Sequence, residues 1–454
     1  MTATDNQGRT QRSGAVRRRL VIDVTPLRES PDFRRLWTGH AVAILGTQMT
    51  RVAVPYQVYV LTDSTLMVGL ASLAQLIPLM LCSLFGGSVA DAVDRRKLLV
   101  VTEGLLAVVV GGLALLALLD SPPIWAIFVL VAVTAGLSAL ESPARSAAVA
   151  GLVRRQILPS AFALNQTLTQ VGAIVGPAVA GVVIAALGLS TTYALNVVTF
   201  LVSITVLTRM RPMPLAHQVT KPGLKSVIEG LTYLRSKPAV MGCFLTDVNA
   251  MFFGMPRALF PAIALGQLGG DAVTVGLLHA APGAGALIGA LTSGWVGSVT
   301  RHGRAVIISI IVWGLAIAGF GVSHWLPLTI ALLMVAGAAD VVSAVFRQTV
   351  LQLSVPDHLR GRLFAVHIGV VTGGPLLGDA RAGATASISS PAFAMVSGGL
   401  ACAAVMGILG WRLTALRRWT LADADADADA DAGAVTGAGA GAERRGRDLT
   451  WRNA

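Results

Sequence analysis

The sequence predicts an all-α membrane protein with twelve transmembrane helices in two six-helix pseudo-repeats. Of its 454 residues, 54% are hydrophobic and only 13% are charged, and the mean hydropathy is +0.71. Soluble domains carry about 25% charged residues, so this composition indicates a chain that crosses a membrane many times. Apolar runs of about 20 residues without strict alternation indicate helices rather than the strands of a barrel.

Twelve apolar runs follow one another along the chain, and each is expected to form one span. Their predicted ranges are 36–61, 66–89, 98–119, 124–141, 163–187, 192–208, 239–265, 273–297, 305–322, 326–346, 363–387 and 392–411. An N-terminal half, 36–208, is joined to a C-terminal half, 239–411, by a cytoplasmic linker, 209–238, with a predicted interfacial helix. A basic segment, 1–35, precedes the spans, and a low-complexity tail, 412–454, is expected to be disordered.

The loops between the spans alternate in charge, and this alternation predicts their orientation. Every second loop contains Lys or Arg, whereas the loops between them contain neither. The loops without Lys or Arg are 62–65, 120–123, 187–191, 266–272, 323–324 and 389–391. The basic loops and both termini are therefore expected in the cytoplasm, with the chain in the plasma membrane. The same loops account for the net charge of +12, so nucleic acid is not an expected partner.

The two halves repeat each other in sequence. Arg145 precedes Phe162-Ala-Leu-Asn165, and 202 positions later Arg347 precedes Phe364-Ala-Val-His367. Three glycines match three others at the same offset, namely Gly172, Gly176 and Gly181 with Gly374, Gly378 and Gly383. The common order and spacing predict a duplicated six-helix unit, which is the architecture of transporters that work by alternating access.

A charged hairpin joins the second and third spans. Its residues, Gly87-Ser-Val-Ala-Asp91-Ala-Val-Asp94-Arg95-Arg96-Lys97, resemble the loop signature GxxxDxxGRR/K of the major facilitator superfamily. The resemblance covers residues from about 31 to 415 and implies the twelve-helix fold and a transport function. Asp94 stands where the signature usually has Gly, which resembles the branch of siderophore and secondary-metabolite exporters.

The resemblance implies that this hairpin is a conformational latch between the halves. Asp91 would cap the positive end of span eleven, and Arg95 would pair with an acid at the end of span four, for which Glu141 is the candidate. Gly87 and Arg96 belong to the same motif. The alternative interpretation is that the hairpin only anchors the topology.

Span five carries a second motif, Gly172-x-x-x-Gly176-Pro177-x-x-Ala180-Gly181. Gly172 and Gly176 lie one turn apart and permit close helix packing, and Pro177 is expected to kink the span. The pattern resembles the antiporter signature GPxxGG, with Ala180 in place of the first of the two paired glycines. The resemblance implies export by antiport, and generic helix packing is the alternative.

Four further charged residues lie inside predicted spans. They are Asp247 in span seven, Asp340 in span ten, and Asp379 and Arg381 in span eleven. A charge in the hydrocarbon core is costly, so each marks a functional path or a structural pair. Asp247 and Asp379 are the candidates for a carboxylate that binds and releases a proton. Asp379 and Arg381 are two positions apart and face different sides of the helix, so they do not simply neutralise each other.

Arg51 in span one and Arg257 in span seven hold matching places in the two halves. Arg51 shares a helical stripe with Gln48, Pro55 and Tyr59. If that stripe faces the cavity, it would attract an anionic substrate. Alternatively, both arginines extend toward the outer surface along the apolar span.

These features predict a transporter and not an enzyme. No metal-ligand spacing, phosphate loop or nucleophile elbow occurs in the sequence, so no metal or cofactor is expected. We expect a monomeric secondary transporter, embedded in the lipid bilayer, that exports a small hydrophobic or amphipathic molecule in exchange for protons. Siderophores, drugs and secondary metabolites fit this description. An importer or facilitator of the same fold and a non-transporting scaffold or sensor are the alternatives.

Overall fold

Helices make up nearly all of the part of the chain that the structure describes. The computed structural model describes residues 23–213, 232, 237–355 and 357–420, without the side chains at 85, 88, 90, 91, 295–297, 357–362, 364, 365 and 368. The predicted interfacial helix of the linker lies outside the described residues. The first residues of the predicted disordered tail are helical instead, because Thr414–Arg418 forms a short helix whose Leu416 is fully buried.

The long helices follow the predicted spans in order. They are α1 Pro31–Thr62, α2 Thr65–Ala92, α3 Arg95–Leu116, α4 Ile124–Leu152, α5 and α6 within Leu158–Leu207, α7 within Pro238–Gln267, α8 Ala272–Leu291, α9 His302–Val322, α10 Leu326–Ser354, α11 Asp357–Ile388 and α12 Pro391–Arg412. Nine helical stretches of the described chain are long and apolar enough to cross a membrane. One of these nine stretches contains both α5 and α6. The more polar helices α1 and α11 are not among the nine, so the architecture is consistent with twelve spans.

A single glycine separates α5 from α6. Gly188 has φ 83° and ψ 174°, whereas the helix continues on both sides of it. Side chains with a Cβ rarely adopt this conformation, so glycine permits the break without strain. The loop predicted at 187–191 is therefore reduced to this one residue.

Short polar residues cap several helices where the sequence changes from loop to apolar run. Asp94 caps α3, and its side chain accepts the Arg96 N–H at 2.9 Å. Asp271 caps α8 and accepts the Thr274 N–H at 3.1 Å. These bonds satisfy backbone donors at the helix start. They also give a physical reason for an acid at position 94, where the superfamily signature usually has glycine.

The helices pack as two bundles. In the first bundle α1 packs against α5 and α6, α2 against α4, and α3 against α4 and α6. In the second, α9 packs against α10 and α12, α8 against α10, and α7 against α11. The bundles join through two main contacts, α2 with α11 and α5 with α8.

Both contacts between the bundles are closest near one end of the helices. The loops at this end contain no Lys or Arg, and we call it the neutral side. A Cβ on Gly383 would lie 2.5 Å from the Thr65 carbonyl oxygen at the start of α2. A Cβ on Gly276 would lie 2.5 Å from the Pro177 carbonyl oxygen near the end of α5. Only glycine permits backbones to approach this closely. The opposite end, with the basic loops, is called the basic side.

Candidate functional site

The seventh span is broken in the middle, and the break lies beside the charges of α11. Its first piece, Pro238–Phe253, ends before Gly254, and a 3₁₀ turn, Arg257–Leu259, starts the second piece. Pro256 cannot donate a backbone hydrogen bond and disfavours a helical conformation in the residue before it. The predicted span over 239–265 corresponds to Pro238–Gln267, and the break exposes two helix ends within it.

Asp379 binds the start of the second piece of α7. Its Oδ1 accepts the Ala258 N–H at 3.0 Å, and its Oδ2 accepts the Ser72 hydroxyl at 3.2 Å. A carboxylate at the N-terminus of a helix is favoured because the unpaired N–H groups give that end a partial positive charge. Since Ser72 belongs to α2, the same carboxylate also connects the two bundles.

Arg381 binds the end of the first piece. Its Nε donates to the Phe252 carbonyl oxygen at 3.1 Å, and its guanidinium carbon lies 5.7 Å and 5.2 Å from the ring centroids of Phe252 and Phe253. A cation at the C-terminus of a helix compensates the unpaired carbonyl groups there. The expectation that Asp379 and Arg381 do not neutralise each other directly agrees with this arrangement. We call Asp379, Arg381 and their partners the α7 clasp.

A second cluster surrounds Asp247 in the first piece of α7. Its carboxylate is fully buried, and Arg347 Nη2 lies 2.7 Å from Oδ1 while His367 Nδ1 lies 3.2 Å from Oδ2. Arg347 Nη1 also donates to Ser343 Oγ at 2.7 Å. Three helices, α7, α10 and α11, contribute to this cluster, which we call the C-half cluster. It supplies the partner that Asp247 requires inside the membrane.

The first bundle contains an equivalent cluster around Arg145. Arg145 pairs with Glu103 at 2.8 Å and with Glu141, one helical turn earlier. Arg145 and Arg347 are the repeat mates 202 positions apart, and each contacts the polar residue four positions before it. This N-half cluster has two carboxylates around its arginine, whereas the C-half cluster has one carboxylate and a histidine.

The predicted pair of Arg95 and Glu141 is replaced by other contacts. Glu141 binds Arg145, and Arg95 Nη1 donates to the Ala147 carbonyl oxygen at 3.1 Å. Arg96 Nε donates to the Leu207 carbonyl oxygen at 3.2 Å. The hairpin therefore binds backbone at the basic ends of α4 and α6 in this conformation. The Asp91 side chain lies outside the described residues.

Of the motif glycines, those of span five pack against two different helices. A Cβ on Gly176 would lie 2.5 Å from Gln48 Cβ on α1, and a Cβ on Gly172 would lie 3.2 Å from Ile44. Gly181 faces α8, where a Cβ would lie 2.7 Å from the Ala272 carbonyl oxygen. A Cβ on Gly87, by contrast, would meet no described atom within 4 Å.

The repeat mates of these glycines make the equivalent contacts in the second bundle. A Cβ on Gly378 would lie 2.5 Å from the Met251 carbonyl oxygen on α7, just as Gly176 approaches α1. Gly383 faces α2, just as Gly181 faces α8. The offset of 202 positions is therefore also a structural equivalence.

Arg51, Arg257 and Asp340 are the remaining predicted site residues. Arg51 and Arg257 are both exposed, and they lie within electrostatic range of each other. Asp340 is half-buried and lies within electrostatic range of both Arg257 and Arg347. The described residues contain no group of three or more His, Cys, Asp or Glu side chains suited to a metal ion.

Sequence analysis missed the structural roles of Arg145, Arg347 and Ser72. Both arginines lie in predicted basic loops, just after spans 124–141 and 326–346, although in the structure both are buried and paired. Their positions as repeat mates, each with a polar residue four positions earlier, were a signal for an internal pair. Ser72 gave no comparable signal, because a single serine in an apolar helix is common.

This architecture matches known membrane transporters. A family model described as transmembrane secretion effector, within the major facilitator superfamily, matches residues 22–438. The chain belongs to this family. It is therefore a major facilitator transporter and not an enzyme, as the resemblance of the hairpin implied.

Curated relatives confirm the predicted resemblance to the siderophore-exporter branch. The enterobactin exporter EntS of Citrobacter koseri is 29% identical over 383 residues, which cover 84% of this chain and 92% of that protein. EntS of Shigella boydii serotype 18 is 28% identical over 399 residues, which cover 88% and 95%.

Two solved structures illustrate the fold of this transporter. A bacterial homolog of the human lysosomal transporter Spinster, in an inward-facing and unoccupied conformation, matches with a TM-score of 0.64 and 15% identity over 86% of this chain and 98% of that one. The human organic anion transporter MFSD10 matches with a TM-score of 0.58 and 14% identity over 83% and 99%. At these identities the similarity shows the major facilitator fold alone, which agrees with the predicted fold class.

Proposed function

We propose that this transporter exports a siderophore-like small molecule across the plasma membrane by alternating access, in exchange for protons. The observation that carries the proposal is the similarity to enterobactin exporters over 84% to 88% of the chain. The aligned region covers both bundles. In alternating access these two bundles move relative to each other.

The arrangement of the bundles supports a transport cycle with a cytoplasmic loading state. The basic loops favour a cytoplasmic location for the basic side and for both termini. With that orientation, the glycine contacts of Gly276 and Gly383 close the outer side, and substrate would enter from the cytoplasm. An exporter loads its substrate in such a state. The protein acts as a monomer in this proposal, since each chain contains both bundles.

Asp247 is the proposed proton-coupling carboxylate. In the C-half cluster it lies between an arginine and a histidine, so protonation of the carboxylate would release Arg347. The imidazole of His367 stands beside the same carboxylate, with Nδ1 at 3.2 Å from Oδ2. Asp379, the other candidate, binds a serine hydroxyl and a backbone N–H of the clasp rather than a charged side chain. We therefore assign it to structure and Asp247 to coupling.

Secretion of enterobactin tests the export function. The chain is expressed in a bacterium that makes enterobactin but lacks its exporter, and enterobactin in the medium is measured by chromatography. We expect secretion to be restored. In inverted membrane vesicles, uptake of enterobactin or of a hydroxamate siderophore would indicate export, whereas loss of preloaded substrate alone would favour the importer or facilitator.

Asp247→Asn tests the proton coupling, and Glu103→Gln in the N-half cluster is the matched control. Both substitutions remove one buried carboxylate from an arginine, but Glu103→Gln leaves Arg145 paired with Glu141. In liposomes, we expect an imposed pH gradient to change the rate of substrate transport by Glu103→Gln. The same gradient is expected to leave the rate of transport by Asp247→Asn unchanged. Transport by the wild type that ignores the gradient would contradict antiport.

The hairpin latch is proposed as the element that stabilises the other state of the cycle. Asp91 lies in the last turn of α2, at the basic side, where the bundles would meet when the cytoplasmic entrance closes. Asp91→Asn is expected to reduce transport at normal membrane abundance, because the substitution removes the charge that favours a helix start. Unchanged transport would mean that the hairpin only anchors the topology.

A further inference from the structure

Arg51 and Arg257 form a pair related by the internal repeat. Arg51 lies four residues before Pro55 in α1, and Arg257 lies four residues before Pro261 in α7. Both side chains are exposed, in contrast to Arg145 and Arg347, which are buried in ion pairs. The two bundles thus each present one accessible arginine at the same point of the repeat.

The pair lies between the bundles and not on the lipid-facing surface. Ala258, the residue after Arg257, donates its N–H to Asp379, whose other oxygen binds Ser72 of the opposite bundle. Helix α1 packs against Phe260–Ala262 in the second piece of α7. Arg51 and Arg257 also lie within electrostatic range of each other, although they belong to different bundles.

Its place in α1 argues against the alternative that Arg51 extends to the outer surface. Arg51 lies eleven residues before the end of α1 at Thr62, which is about 16 Å along the helix at 1.5 Å per residue. That distance is beyond the reach of one side chain. Arg51 therefore lies well inside its helix, and a charge within a membrane span is costly unless water or an anion accompanies it.

The charges around the pair are unevenly distributed. Arg257 has Asp340 and Asp379 within electrostatic range. Among the described residues, no carboxylate forms an ion pair with Arg51. Two guanidinium groups that share one space repel each other, so an anion placed between them would relieve the repulsion and bind to both.

We propose that Arg51 and Arg257 form the substrate-binding pair, and that the exported molecule is a small organic anion with two or more acidic groups. This inference rests on the proposed function. Each guanidinium can bind a carboxylate or similar oxyanion with two parallel hydrogen bonds. Because one arginine belongs to each bundle, a polyanion that binds both joins the bundles across the substrate space and favours closure around it.

Benzene-1,3,5-tricarboxylate is the test ligand, and its neutral triamide is the control of the same shape. The melting temperature of the full chain in detergent is measured with each compound. We expect the tricarboxylate, but not the triamide, to raise the melting temperature of the wild type, and added salt to reduce the effect. Arg51→Gln and Arg257→Gln are each expected to weaken binding about tenfold or more, the loss of a charge-assisted hydrogen bond.

Arg155→Gln is the matched control for these substitutions, because Arg155 is exposed in a short turn on the basic side. It is expected to bind like the wild type, and Arg51→Lys is expected to bind with intermediate affinity. The inference is overturned if the tricarboxylate and the triamide change the melting temperature of the wild type equally. An unchanged effect of the tricarboxylate on both glutamine variants also overturns it.

A second measurement does not depend on how the variants fold. Phenylglyoxal modifies accessible arginines, and mass spectrometry of the wild type reports each site. We expect the tricarboxylate to protect Arg51 and Arg257 and to leave Arg155 unprotected; equal modification with and without the ligand overturns the inference. Restored enterobactin secretion together with this negative result would leave the export function intact and reject only the anionic pair.

Discussion

At the scale of single residues, four charges inside the predicted spans are each matched to a specific partner. Asp379 and Arg381 bind the two helix ends that the break in α7 creates, and Asp247 and Glu103 each bind an arginine. Unsatisfied polar groups cannot find water in the hydrocarbon core, so each of these contacts removes a cost that the fold would otherwise carry.

Replacing Asp379 tests the clasp. Asp379→Ala leaves the Ala258 N–H without its acceptor, and we expect a loss of about 2 kcal/mol in stability, the usual cost of a buried unsatisfied donor. Asp379→Asn keeps an acceptor oxygen and is expected to lose less. Thermal unfolding in detergent measures both. If Asp379→Ala unfolds at the same temperature as the wild type, the carboxylate does not stabilise the break.

At the scale of helices, glycines decide how closely the bundles and their members approach. Gly176 and Gly378 bring α5 against α1 and α11 against α7, while Gly181 and Gly383 bring the two bundles together. The antiporter-like motif of span five therefore has a clear packing role. Its proposed link to antiport stays a prediction, because the same glycines would serve helix packing in a transporter of any direction.

A pair of alanine substitutions separates packing from helix propensity. A Cβ on Gly176 would lie 2.5 Å from Gln48 Cβ, whereas a Cβ on Gly104 in α3 would meet nothing within 4 Å among the described residues. We expect Gly176→Ala to cost about 1–3 kcal/mol through overpacking. Gly104→Ala is expected to be neutral or to stabilise by up to about 1 kcal/mol. Equal melting temperatures of the two variants would contradict the close approach of α5 and α1.

At the scale of the whole molecule, two similar bundles meet across a surface that is closed on the neutral side. Each bundle carries an arginine cluster at the same point of the repeat. In the C-half cluster His367 contacts the carboxylate directly, whereas in the N-half cluster His40 lies within electrostatic range of Arg145. The duplication thus supplies a symmetric frame, and a few substitutions make the second bundle different. This asymmetry is the reason for assigning proton coupling to the second bundle.

Labelling of introduced cysteines tests the orientation of the molecule. Val93 in the basic hairpin is 41% exposed, and Leu119 after α3 on the neutral side is 54% exposed. The free cysteines Cys82, Cys243 and Cys402 are first replaced. In intact cells, we expect a membrane-impermeant maleimide to label Leu119→Cys and not Val93→Cys. The reverse pattern would place the basic side outside and contradict the positive-inside assignment.

Sequence patterns predicted the architecture because the membrane constrains the length of each apolar segment and the charge of each loop, and both can be read directly from the sequence. Membrane thickness fixes the length of an apolar run, and the loop charges alternate from one side to the other. The repeat offset, visible in Arg145 and Arg347, identified residues that are equivalent in space. The predicted spans, the fold class and the resemblance to exporters of this superfamily all follow from such local evidence.

By itself, then, the sequence determined the fold class, the order of the helices and the residues that carry charge into the membrane. Only the tertiary structure decided what those charges bind. Asp379 and Ser72 are 307 positions apart, and Arg347 lies 100 positions from Asp247. Helical periodicity gives the face of a residue on its own helix, but a partner depends on the rotation of two helices about their axes. That rotation is set by the packing of all twelve helices together.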